Sequence, residues 1–386
     1  MNKQVWTLPP VGFIPARAAG CYTYTERTGA DIADFLTRGG LPCRCIANSP
    51  GAAVDLYTFQ VSDFYKLPRL PRLLPALAVW AGVNVTRSTK APAGAFVLEV
   101  QRRQRNTVYF ADCINRPAWT TSSRGAALIG AEGAGVVTAL NIDRAPHLLI
   151  AGQTGAGKSV LMNDIICSLL LKNTPDTARF VFIDPKQVEF SRFAALPHVQ
   201  PGDAVTSTGA ALQALQALCT EMDERYTRMK TEGVKNYTGQ RVYIFIDELA
   251  DLMLTAGKIK KQVEDCIIRI AQKGRAAGYH LIIATQTPRA AVITGLISAN
   301  IPVKIALTVS NVKESVLILG HKSAEGLTGA GDCILKTPVQ GETRLQAAFI
   351  SDREIDKIIE YWKSQRPATC TPAPLWKQVL TWFLPL

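Results

Sequence analysis

The run Gly152-Gln153-Thr154-Gly155-Ala156-Gly157-Lys158-Ser159 fits the P-loop spacing G-x-x-x-x-G-K-[ST], and the chemistry served by that spacing is the holding of nucleotide phosphates. Glycines are needed because backbone N–H groups must turn toward phosphate oxygens with no side chain in the way. Lys158 then offers a point charge to the β and γ phosphates of ATP, and the Ser159 hydroxyl offers a ligand to Mg²⁺. Val160 ends the predicted nucleotide-binding stretch. A glycine turn opening any helix would give similar letters. The apolar strand at 148–150 and the helical run at 160–171 supply the context that a phosphate loop requires.

A second motif, VYIFIDELADLM at 242–253, places Asp247 and Glu248 directly after a buried apolar strand. Open α/β sheets bind their ligands at such carboxyl ends. Asp247 would hold Mg²⁺ and its waters in the Walker-B manner, and Glu248 would orient or deprotonate the attacking water. An acidic pair can instead cap the next helix; behind a P-loop the catalytic role is the expectation. Gln286 ends the strand LIIATQ, where its carboxamide can bond a γ-phosphate or the lytic water without adding charge. That role requires its strand to neighbour the strand of Asp247.

These residues need a sheet to position them. Short runs rich in Ile, Val and Phe occur at 148–150, 180–183, 242–246, 281–284 and 303–309, the pattern of buried parallel strands. Helical windows at 160–171, 208–231, 258–277 and 311–319 alternate with them, which predicts βαβ units, an α/β class and a mostly parallel sheet. Upstream, a helix at 30–38, strands at 54–61, 95–101 and 107–111 and a helix at 73–80 predict a small α+β domain. The stretch 117–135, rich in Thr, Ser, Ala and Gly, reads as a boundary. The expected division is a flexible arm at 1–20, the small domain at 21–118, the P-loop domain at 119–366 and a tail at 367–386.

Composition narrows the setting. The 386 residues carry 43 Lys and Arg against 31 Asp and Glu, a formal charge of +12 that favours a polyanionic partner. A hydrophobic content of 47% excludes wholesale disorder. The cysteines are odd in number and scattered, and Cys167, Cys219 and Cys266 fall inside apolar helical runs, so the expected compartment is reducing and cytoplasmic. Cys43 and Cys45 form a close pair without a second pair at zinc spacing. The longest apolar run, at 73–85, is too short to span a bilayer and contains Pro75, while Pro9, Pro10 and Pro15 interrupt any signal sequence. No transmembrane segment is expected.

Together the segments resemble the motor region of the FtsK/SpoIIIE family of DNA translocases. The resemblance runs in order through APHLLIAGQTGAGKS, FIDPKQVEF, EMDERYTRMKTEGVKNY, FIDELADLM, AQKGRAAGYHLIIATQTP, VITGLISANIPVKIAL, LTGAGDCIL and FISDREIDKIIEYWK. A fainter likeness over residues 27–112, including GAAVDLYTF, resembles the small α domain that precedes the motor in that family. It implies a RecA-like motor in a hexameric ring that threads double-stranded DNA and walks along it by ATP hydrolysis with Mg²⁺. Such a ring grips phosphates rather than base edges; Lys230, Lys235, Arg275 and Lys322 are candidate contacts. It also implies an arginine finger reaching a neighbour's γ-phosphate. Arg275 matches the RAAG segment, whereas TQTPRA departs from the more usual TQRPS and displaces Arg289 by one position. Lys304 stands where the family commonly has Arg, and a lysine lacks the planar bidentate fork.

Family members acting at division septa carry membrane helices and often a C-terminal winged helix. This chain begins near the α-domain likeness and ends soon after residue 363, so the expectation is a motor for plasmid, phage or other mobile-element DNA in transfer or partitioning. The alternatives are a chromosome-segregation translocase with membrane and guide modules on other chains, a nucleotide-switched DNA-binding scaffold with little turnover, and a protein-secreting ATPase. Trp376, Val379, Leu380 and Phe383 give the tail an amphipathic spacing, suited to packing on the motor or a partner, or to membrane-surface contact.

Overall fold

A computed structural model describes residues 5–17, 28–88, 91–187 and 189–365. The amphipathic tail expected at 367–386 lies outside them. The first unit is a small α+β domain. Its four-stranded antiparallel sheet has the order β1-β2-β4-β3, with β1 at Cys43–Ser49, β2 at Val54–Val61, β3 at Val85–Arg87 and β4 at Ala95–Gln101. Helix α1 (Gly29–Arg38) starts at a Thr28 capping box completed by Asp31, and α2 (Leu70–Ala81) ends on Gly82 in the left-handed conformation. Both helices pack over fully buried Leu36, Phe59, Phe96 and Leu98.

The second unit is built on ten strands in the order β6-β5-β14-β13-β12-β7-β11-β10-β8-β9. In chain order it comprises α3 (Phe110–Ile114), α4 (Pro117–Thr120), β5 (Ala126–Ala131), β6 (Val137–Asn141), β7 (His147–Ala151), α5 (Lys158–Lys172), β8 (Ala178–Ile183), β9 (Ala204–Val205), α6 (Thr208–Glu232) and β10 (Arg241–Ile246). It continues with α7 (Leu249–Thr255), α8 (Lys260–Ala277), β11 (Tyr279–Thr285), α9 (Gly295–Asn300), β12 (Val303–Leu307), α10 (Val312–Leu319), β13 (Asp332–Thr337), β14 (Gly341–Ala347) and α11 (Asp352–Ser364). From β12 to β9 every pairing is parallel, and these are the apolar strands expected from the sequence, joined by the short β9. From β12 to β6 every pairing is antiparallel. Apolar clusters cover both faces of the parallel half, so its strands read as continuous rather than alternating runs.

Three local expectations change. Residues 107–111, expected as a strand, instead lead into α3, whose Phe110, Ala111, Cys113 and Ile114 belong to the core of the large sheet. The packing therefore divides the chain close to residue 105 rather than at 118. The Ala- and Gly-rich boundary stretch contains β5, buried throughout. Small residues are what close approach demands there: a Cβ at Gly130 would lie 2.0 Å from the Gln346 carbonyl oxygen of β14. Residues 5–17 are not a free arm. Trp6 packs on Trp362 with ring centroids 6.4 Å apart, Phe13 on Tyr361 at 5.0 Å, and Ile14 is buried in the main core.

The two units are tied by arginines. Arg344 on β14 pairs with Glu99 of β4 at 2.8 Å and with buried Asp332 at 2.7 Å. Arg105, in the link between the units, donates to the carbonyl oxygens of Thr328 and Gly329 at 2.7 and 3.0 Å.

Candidate nucleotide site

Strand β7 sits between β12 and β11, and the loop that leaves it turns into α5 over residues 152–158. Gly152 is needed for room, since a Cβ there would stand 2.6 Å from the Leu307 Cβ. Gly157 is needed for shape and room together. Its φ is 104°, and a Cβ would meet the Gly331 backbone nitrogen at 2.9 Å. Gly331 N–H donates to the Ala156 carbonyl at 2.8 Å, so the 328–332 turn gripped by Arg105 also braces the P-loop. The first P-loop residues are moored to the flanking strand ends: Gly152 N–H donates to Thr285 O at 3.2 Å and Gln153 N–H to Thr308 O at 2.9 Å.

The sequence places Lys158 and the pair Asp247-Glu248 far apart, and the fold brings them together. The Lys158 ammonium lies 2.9 Å from the Asp247 carbonyl, 3.2 Å from Asp247 Oδ1 and 3.7 Å from Glu248 Oε2. All three side chains are buried. Burial raises the Asp247 carboxyl above its ordinary value; Lys158 opposes that rise, and the nearby Glu189 and Asp184 carboxylates add to it. Glu248 is held on several sides. Its Oε1 accepts from Thr285 Oγ1 at 2.6 Å and from Ala250 N–H at 3.2 Å, and its Oε2 accepts from Gln286 N–H at 2.8 Å. A carboxylate so fixed can aim at one water.

Strand β11 does neighbour β10, in parallel register, as the role of Gln286 requires. Gln286 Oε1 accepts from Thr154 Oγ1 at 2.7 Å, so the residue connects the P-loop to Glu248. The remaining basic candidates lie elsewhere. Arg275, in the last turn of α8, precedes β11 and so belongs to the opposite end of the strands from Glu248. The loop carrying Lys235 joins it there, with Tyr237 N–H donating to Ala276 O at 2.8 Å. Arg289 is exposed just beyond Gln286. Neither guanidinium has a hydrogen bond or ion pair among the described residues, so both are open to a second chain. Lys304 is not: its ammonium donates to Ser298 Oγ at 2.7 Å, and burial, with Lys336 nearby, lowers its proton affinity.

Two participants escaped the sequence reading. Thr285 orients Glu248. Glu189 accepts the Ser159 hydroxyl at 2.6 Å. A signal for the second was available, because Phe-Ile-Asp occurs twice, at 182–184 and 245–247, and the two copies end adjacent strands in register. Ser159 and Asp247 are the oxygen donors that would hold Mg²⁺ here, and among the described residues no group of three or more His, Cys, Asp or Glu is placed to hold a metal ion. Beside the loop opens a cavity of about 370 Å³, lined by Gly155, Gly157 and Val160 and, across from them, by Arg105, Asn106 and Phe349.

Among described residues no helix is long and apolar enough to cross a membrane. The fold recurs in solved structures. The pCW3 conjugation coupling protein TcpA, solved as a monomer form with ATPγS, matches with a TM-score of 0.60 at 22% identity over 86% of this chain and 98% of that one. The cytoplasmic domain of the type VII secretion ATPase EccC of Thermomonospora curvata matches with a TM-score of 0.54 at 23% identity over 66% and 32%. At such identities they establish the P-loop ATPase fold. In sequence, the chain is 35% identical over 379 residues to DNA translocase FtsK 1 of Neisseria meningitidis serogroup B, covering 89% of this chain and 46% of that protein. It is 35% identical over 395 residues to DNA translocase FtsK of Listeria monocytogenes, covering 95% and 52%. The chain thus spans about half the length of the curated relatives it matches. With a model of the FtsK/SpoIIIE family matching residues 111–244 and 238–290, over the P-loop, the Asp247-Glu248 pair and Gln286, the chain belongs to that family.

Proposed function

We propose that this chain is an ATP-driven double-stranded DNA translocase that works as a ring, with a hexamer as the expected assembly. The observation that carries the reading is the buried contact of Lys158 with Asp247 and Glu248 beneath a glycine loop. Backbone N–H groups of Gly155, Gly157, Lys158 and Ser159 and the Lys158 ammonium hold the triphosphate, and the nucleoside extends into the cavity lined by Val160, Asn106 and Phe349. Arriving phosphates give Lys158 a new partner, which frees Glu248 from that ion pair. Glu248, still held by Thr285 and the Ala250 and Gln286 N–H groups, then receives the proton of the attacking water. Mg²⁺, held by Ser159 and Asp247, would supply charge neutralisation at the phosphates. Gln286, bonded to Thr154, is the sensor that registers loss of the γ-phosphate. Arg289 or Arg275 of a neighbouring copy supplies the finger. Lys230, Lys235, Arg275 and Lys322, exposed and strung along loops and helix ends, grip DNA phosphates.

Plasmid, phage or other mobile-element DNA is the cargo we favour, and the fold shared with a conjugation coupling protein makes plasmid duplex the first DNA to try. The test is ATP hydrolysis with and without linear duplex at two salt concentrations, with Lys158→Ala as the blank. Stimulation by duplex that fades with salt, together with displacement of a bound third strand, is the expected result. Hydrolysis indifferent to DNA at low salt overturns the reading.

A further inference from the structure

A serine that binds a metal through its oxygen must send its proton elsewhere, because a freely rotating hydroxyl offers its lone pairs in no fixed direction. Asp247 is the obvious acceptor from the sequence, yet its Oδ1 is engaged by Lys158 at 3.2 Å. The Ser159 proton goes instead to Glu189, at 2.6 Å. Glu189 is not there by the chance swing of a long side chain. The Asp184 carboxylate, buried at the end of β8, accepts backbone N–H groups from Lys186 at 3.1 Å, Glu189 at 3.0 Å and Phe190 at 3.1 Å. Those bonds gather Lys186, Glu189 and Phe190 around Asp184, and Gln187 lies in the left-handed region at φ 57°. Phe190 anchors this segment, its ring tilted against Phe182 at 5.0 Å and edge-on to Phe245 at 6.2 Å.

Resting on the nucleotide-binding reading above, we propose that Glu189 is a positioning residue for the metal site: it takes the Ser159 proton and thereby aims the Ser159 lone pairs at the cation that accompanies the nucleotide. A charged acceptor makes this bond about twice as strong as a neutral one. Groups that orient a metal ligand in this way typically contribute about 10- to 100-fold in metal affinity. The role differs from that of Asp247, which faces Lys158, and from that of Glu248, which faces the water.

The experiment measures affinity for a fluorescent ATP analogue in Mg²⁺ and in EDTA, for the full chain and for Glu189→Ala, Glu189→Gln, Ser159→Ala and Ser159→Ala/Glu189→Ala. Glu189→Ala should lose about 10-fold or more of the Mg²⁺-dependent affinity and bind as wild type in EDTA, which also shows that it is folded. Glu189→Gln, whose amide oxygen still accepts the hydroxyl, should recover most of the loss. In the Ser159→Ala background the second substitution should add nothing. Equal weakening of Glu189→Ala in Mg²⁺ and EDTA, an unchanged Mg²⁺ dependence, or additive losses in the double variant overturns the proposal. A wild-type chain that binds the analogue with no Mg²⁺ dependence overturns it too. Failure of DNA to stimulate hydrolysis leaves this result intact, so the two readings fall separately.

Discussion

The same central strands end in two buried polar clusters of opposite character. At their carboxyl ends Lys158, Asp247 and Glu248 are in mutual contact, and hydrogen bonds tie each to chain segments remote in sequence. At their amino ends His147, His280 and Tyr243 are equally buried, and His280 stacks on Tyr243 at 5.3 Å with Asp143 3.5 Å from its Nε2. There burial wins. It lowers His147 and His280 to about 3, so both rings are neutral at physiological pH. Burial of polar groups does not by itself make a site. What distinguishes the carboxyl ends is a lysine set against two acidic side chains beneath a loop whose glycines leave its backbone open to a ligand.

The comparison breaks most sharply at Glu248. Glu248→Gln keeps the shape and, through its amide oxygen, the bonds from Thr285 and Ala250, gives up the bond from the Gln286 N–H and removes the base, so hydrolysis should fall by about 10²- to 10⁴-fold while ATP affinity stays near wild type. Quenched-flow turnover beside equilibrium binding checks this; equal loss of both would reduce the carboxyl-end cluster to a binding site. At the other end the effect is on stability. A histidine lowered by folding contributes its full stability above its unfolded value near 6.5, and loses it as pH falls toward the folded value of about 3. Between those limits His280→Leu should flatten the pH dependence of unfolding free energy by about 1.4 kcal/mol per pH unit relative to wild type. The difference between the two proteins is the measurement, because buried Asp164, pushed well above the ordinary carboxylate value, works in the opposite direction in both. Parallel curves would show that the ring is already protonated in the fold. The smallest effect is expected at Lys235→Gln, near the amino ends, where loss of one phosphate contact should lower the slope of log DNA affinity against log salt by about 0.9 and leave ATP binding unchanged.

The carboxyl-end cluster was legible because its residues sit at motif spacing behind apolar strands, where position in sequence fixes position in the sheet. Lys158, Asp247, Glu248 and Gln286 are all of this kind. Glu189 and Thr285 act through bonds that close only when β8, β10 and β11 pair, and no local pattern encodes that pairing. The antiparallel half was hidden for another reason. In β5 the alanines and glycines that let strands and α5 approach closely are the same residues that mark linkers, so composition alone favours the wrong reading. The flexible arm expected at 1–20 was also misleading, since aromatic contacts with α11 hold residues 5–17 in place.

That last contact bears on how the chain is made. The small domain is built from contacts within residues 29–101 and can close soon after it leaves the ribosome. The P-loop domain cannot, because Trp6 waits for Trp362, Phe13 waits for Tyr361, and β5 waits for β14. Residues 5–14 find their places only after α11 has been made, a long-range closure of the kind that slows folding.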